Sequence, residues 1–127
     1  MRAVDTNVLV RLITRDDPEQ TEAAERFVAP GAWISHLVLA ETRWVLESVY
    51  SLSAEQLAVA LEMLLDHRCL VTQDADVVRG ALEQFRQKPA LGFSDCLVVE
   101  VARRAGNLPL GTLDRALAKV KGAQLVR

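Results

Sequence analysis

The sequence lacks what a secreted or membrane protein would need. Its two cysteines, Cys69 and Cys96, are too few to suggest a disulfide framework, and a reducing cytoplasm is the expected setting. The opening Met1-Arg2-Ala3-Val4-Asp5 contains no apolar stretch of the kind a signal peptide carries. No apolar run approaches the roughly 18 residues of a membrane span. There is no internal repeat, no low-complexity stretch and no linker. The only histidines, His36 and His67, are not at a paired spacing such as HxxxH, so a zinc site is not expected. An excess of positive charge is also missing: 15 basic residues face 17 acidic ones, for a net charge of −2. That balance counts against a nucleic-acid binder, unless the acids are concentrated where bound cations would offset them.

What is present is a core. Half of the 127 residues are hydrophobic and 25% are charged, which suits one ordered domain over residues 1–127. Short apolar runs alternate with longer helical patterns. Strands are expected at Ala3-Val4, Trp33-Ile34-Ser35, Cys69 to Thr72, near Leu110 to Thr112, and at Gln124-Leu125-Val126. Helices are expected over Val8 to Thr14, from Asp17-Pro18 to Val28, and over Leu37 to Tyr50. Ser53-Ala54-Glu55-Gln56 is a capping box for a helix to Asp66. Further helices follow over Ala75 to Gln87, Ser94 to Arg104 and Arg115 to Val120. Strands separated by helices imply parallel crossovers, hence a sheet with helices on both faces.

Four carboxylates stand out against this background. Asp5 and Asp114 each follow a strand, at the carboxyl end where open α/β sheets bind ligands. Each could equally cap the helix that follows it. Glu41 has Leu37, Val38, Trp44 and Val45 at i−4, i−3, i+3 and i+4. A carboxylate within such an apolar stripe is costly to bury unless it is paired or metal-bound, so it would lie at a helix edge, pair with an arginine or hold a metal. Asp95 opens a helix with Val98 and Val99 on its own side, and a capping role for Ser94 or Asp95 is the alternative. Like charges gathered together repel. The usual reason to gather them is a hard divalent cation, Mg²⁺ or Mn²⁺, bound as one or two ions through oxygen ligands.

On these residues the chain resembles PIN-domain proteins of the VapC toxin type. Asp5-Thr6-Asn7 resembles the family's opening motif, and Glu41 in Val38-Leu39-Ala40-Glu41 its second acid. Phe93-Ser94-Asp95-Cys96-Leu97 resembles the third motif and Gly111-Thr112-Leu113-Asp114 the fourth, with Leu113 where the family more often has Phe. The four occur in the family's order along nearly the whole chain. The resemblance implies a three-layer α/β/α sandwich around a mostly parallel sheet of about five strands. It implies an endoribonuclease, the toxin of a toxin–antitoxin pair, with a cognate antitoxin protein as partner. It suggests Asp5 and Asp95 as the central metal ligands, with Glu41 and Asp114 completing the set.

Around the acids, Thr112 is expected to support the site by hydrogen bonding and Asn7 to hold the Asp5 turn. RNA needs cations, and Arg11, Arg15 and Arg43 are the first candidates. Arg103-Arg104, Arg115, Lys119 and Lys121 add more, although a charge run is usually only a solvated face. Trp33 and Trp44 are expected in the core, and Cys96 as a packed side chain rather than a nucleophile. The Ser53 to Asp66 helix is apolar on more than one face, which points to a homodimer. Three other readings compete. An aspartate-based phosphatase would want a second acid where Asn7 stands. A receiver-like signalling domain would want an acidic pair near Asp5. A catalytically inactive PIN-like module would keep the fold and bind only protein.

Overall fold

A computed structural model describes every residue, Met1–Arg127. The chain divides into two compact units, Met1–Ala75 and Asp76–Arg127. No helix is long and apolar enough to cross a membrane.

The first unit contains β1 (Arg2–Ala3), α1 (Thr6–Thr14), α2 (Pro18–Val28), β2 (Ala32–Ile34), α3 (His36–Ser48), α4 (Ala54–Asp66) and β3 (Leu70–Thr72). The strands form a parallel sheet in the order β1-β2-β3, with Ala3 opposite Trp33 and Trp33 opposite Val71. Local chemistry sets the helix starts. Asp17 accepts from the Gln20 amide with Pro18 in the first turn, Ser35 accepts from the Val38 amide, and Ser53 and Gln56 complete the anticipated capping box. Helix α1 begins at Thr6, ahead of the expected Val8, because Asp5 itself is its cap. Helix α1 packs against α2 and α3, and α4 packs against β3. Leu57, Leu61 and Leu64 of α4 are fully buried, each contributing about 2 kcal/mol of apolar burial.

The two longer strands alternate, burying Ala32, Ile34, Leu70 and Thr72 while Trp33 and Val71 face outward. The tryptophans therefore do not lie in the core as expected. Trp33 is 37% exposed on the opposite face of a strand whose small Ala32 and Ile34 take the inner positions, and Trp44 is 56% exposed on α3.

The second unit contains α5 (Ala75–Gln87, whose first residue closes the first unit), a 3-10 turn (Pro89–Leu91) and α6 (Phe93–Arg104). Then come β4 (Leu110–Thr112), a second 3-10 turn (Leu117–Lys119) and β5 (Ala123–Leu125). Val78, Ala81, Phe85, Phe93, Cys96 and Val99 make its core, with Phe85 and Phe93 in edge-to-face contact. Gly92, at φ 82°, turns the chain into α6, so neither Ser94 nor Asp95 is the cap that the sequence suggested. Strands β4 and β5 pair in parallel. The five expected strands are thus present and every pairing is parallel, but hydrogen bonding sorts them into a sheet of three and a sheet of two. Their two or three residues each leave little ladder to share.

Candidate active site

The carboxyl edge of the three-stranded sheet is built from the residues that follow its strands. Asp5 follows β1, Ser35 and His36 follow β2, and Gln73 follows β3. The His36 amide donates to Gln73 Oε1 at 2.9 Å, and His36 Nε2 lies 2.7 Å from the Gln73 carbonyl, to which it donates as the Nε2–H tautomer. These two contacts lock the β2 and β3 ends together. The sequence marks His36 only as a histidine without a zinc-type partner, and 36 intervening positions hide its proximity to Gln73. Asp5 is exposed, and one of its oxygens accepts from the Thr6 amide at 2.6 Å. Its turn is closed by the Val8 amide donating to the Asp5 carbonyl at 3.2 Å. The side chain of Asn7 takes no part in that turn. It is exposed and borders a recess with Val8, Arg11 and Phe27, so the expected role of holding the Asp5 turn falls to the backbone.

Glu41 corrects the sequence reading of its environment. Helix α3 buries Leu39, Thr42 and Leu46, and the stripe carrying Glu41 points outward, with Leu37 83% exposed. The apolar neighbours at i−4 and i+3 belong to an exposed face, so no burial cost arises. Nor does Glu41 pair with an arginine: its carboxylate has no hydrogen-bond or ion-pair partner, while Arg43 bridges to Glu47 at 3.3 Å.

In the second unit, Asp95 occupies the first turn of α6 at the edge of its buried face, between exposed Val98 and fully buried Val99. Its carboxylate also lacks a partner. Asp114 follows β4 and is exposed. One of its oxygens accepts from the Ala116 and Leu117 amides at 2.8 and 3.2 Å. The Thr112 hydroxyl accepts from the Asp114 amide at 3.0 Å. Cys96 is buried beside Asp95, and burial, then the charges of Asp95 and Glu100, push its thiol up. A thiol held protonated is a packed side chain, not a nucleophile.

The anticipated arginines are engaged. Arg11 bridges to Asp16 and bonds Gln20 and Tyr50, and Arg15 bridges to Glu25 at 2.8 Å. Sequence reasoning missed Tyr50 and Asp16 because the network joins residues 34 positions apart.

In chemistry the four acids suit a hard cation: every donor is a carboxylate oxygen, two of the four groups are unpaired, and the capping pair each keep one oxygen free. No group of three or more His, Cys, Asp or Glu side chains is placed to hold a metal ion.

Parallel strands joined through helices define an α/β protein. The chain belongs to the PIN domain family, whose model matches residues 2–123. Its fold class is accordingly the three-layer α/β/α sandwich with a mostly parallel sheet. No curated protein and no solved structure is significantly similar to it.

Proposed function

We propose that this PIN domain, taken as one domain over residues 1–127, is a divalent-metal-dependent endoribonuclease of the VapC toxin type. Asp5, Glu41, Asp95 and Asp114 are its acids. The reading is supported by one observation above others: Glu41 and Asp95, which the motifs pair with the two strand-end aspartates, carry carboxylates that no group in the protein neutralises. Unpaired oxygens at these motif positions are free to take a cation. When bound, Mg²⁺ or Mn²⁺ supplies a more acidic water and neutralises charge building on the phosphate. Asp5 and Asp114 are held rigid by the amides they cap, and Thr112 fixes the Asp114 turn. A cytoplasmic setting, a cognate antitoxin and a homodimer complete the proposal.

A second reading has its own observation. The absence of an assembled group of three ligands favours a catalytically silent PIN module that binds protein through its exposed apolar side chains, such as Leu37 and Trp44. Incubating purified protein with RNA separates the two. The nuclease reading expects cleavage in Mg²⁺ or Mn²⁺ that chelator, Asp5→Asn and Asp95→Asn each abolish while the far-ultraviolet spectrum is unchanged. Intact RNA in all conditions supports the silent module.

A further inference from the structure

The second unit carries an open cleft of about 160 Å³ between the end of α5, the 3-10 turn after it, and the segment joining the second 3-10 turn to β5. Lys88, Lys119 and Lys121 stand around it, Leu91 and Val120 give it apolar wall, and no carboxylate lines it. None of the three ammonium groups has an ion-pair partner, although the unit's arginines Arg103 and Arg104 are both paired. Lys119 and Lys121 attract notice in the sequence, but Lys88 lies 31 positions before Lys119 and only the fold adds it.

The walls of the cleft are tied to each other. Gln84 donates to Glu100 at 2.7 Å, Glu100 pairs with Arg103 at 3.5 Å, and Arg103 donates to the Lys121 carbonyl at 2.6 Å. This chain fixes the Lys121 backbone against α5. It also engages the Glu100 carboxylate with an arginine, and no carboxylate lines the cleft. The end of α5 contributes roughly half a negative charge from its last carbonyls, against which three full positive charges prevail. A cleft several times the size of a water molecule, lined by three lysines without ion-pair partners on a tied frame, suits a solvated phosphodiester.

We propose that Lys88, Lys119 and Lys121 form a docking site for the sugar–phosphate backbone of single-stranded RNA, an inference that rests on the ribonuclease reading for its choice of polyanion. Lysines act there as point charges, so the contact is expected to be electrostatic and indifferent to sequence.

The test reads binding without cleavage. Fluorescence anisotropy of a fluorescein-labelled single-stranded RNA of mixed sequence is followed in EDTA across a salt series. The comparison is between wild type, Lys88→Gln/Lys119→Gln/Lys121→Gln, and the same three positions changed to Arg. The glutamine variant should bind at least tenfold more weakly at about 100 mM salt. Its slope of log affinity against log salt should be shallower by roughly 2, as expected for about three lost phosphate contacts on a single strand. The arginine variant should restore both values. Equal binding and slope in wild type and glutamine variant overturns the proposal and leaves the nuclease reading standing. Loss in both variants also overturns it, because charge is then not the cause. RNA that wild type does not bind at all in EDTA overturns this site, and cleavage with metal restored then decides the nuclease reading separately. Lysine-dependent binding by a protein that cleaves nothing when metal is restored upholds this site and removes the nuclease.

Discussion

The hydroxyl of Tyr50 donates to Asp16 Oδ2 at 2.9 Å. The same hydroxyl accepts from Arg11 Nη1 at 3.1 Å, so one phenol holds an ion pair at the end of α1 against the end of α3. Arg11 is fixed by this network, its guanidinium held above its ordinary range first by Tyr50, and it is not an idle cation awaiting phosphate.

Two consequences follow for stability. Tyr50→Phe removes both hydrogen bonds and should lower the melting temperature by roughly 3 °C, as expected for about one net hydrogen bond in a domain of this size. The network also contributes acid sensitivity. The Thr14 and Tyr50 hydroxyls hold the Asp16 carboxyl below its ordinary value, and Arg104 does the same for Asp76. A folded-state value below the unfolded one, about 3.9, means stability that is complete above that value and is lost as pH falls through the folded one. Urea melts from pH 7 down to pH 2 should show stability declining below about pH 4, and the decline should be shallower in Asp76→Asn. A decline as steep in the variant as in wild type would show that the Asp76–Arg104 pair is not a source.

Glu41 is exposed and unpaired, so its charge costs the apo protein little. Glu41→Gln should therefore leave the melting temperature in chelator within the small range of ordinary surface substitutions, about 0.5 kcal/mol either way. Ligand linkage predicts that Mn²⁺ stabilises wild type more than the variant. A variant clearly less stable in chelator would mean that Glu41 has a structural role.

Helix α4 buries Leu57, Ala58, Ala60, Leu61 and Leu64 but leaves Val59 and Met63, one helical turn apart, on the outside. If that exposed pair carries the homodimer, Met63→Lys should shift light-scattering mass at micromolar concentration from dimer to monomer while the fold is kept. An equal mass for both proteins places the pairing elsewhere, or shows that there is none.

How much of this was legible in the sequence differs by scale. Most element identities were, because their signals are local: Asp17-Pro18 and the Ser53 capping box act within a few residues, whereas the helix expected over Arg115 to Val120 is only the 3-10 turn Leu117–Lys119. Asp5 and Asp114 could be placed past strand ends for the same reason, and Thr112 beside Asp114. Orientation was less legible. The stripe Leu37, Glu41, Trp44 reads as buried by hydrophobicity, yet α3 turns Leu39, Thr42 and Leu46 inward, because one polar threonine that can bond its own helix, at 2.7 Å to Val38, is cheap to bury. Long-range polar partners were not legible at all. Nothing around Arg11 announces Tyr50, and nothing around Lys88 announces Lys119, since those meetings are made by the fold rather than by the local chain.

The central claim is that Asp5, Glu41, Asp95 and Asp114 together serve a divalent cation, although no group of three is assembled in the protein as it stands. Titration calorimetry with Mn²⁺ tests it directly, on wild type, Asp5→Asn and Asp95→Asn near pH 7.5, where both folded variants can be verified by their spectra. The account predicts saturable binding of one or two ions by wild type and at least a tenfold loss of affinity in each variant. Absence of Mn²⁺ binding by wild type, or equal binding by all three, would contradict it and leave the chain a PIN domain that works through protein contacts alone.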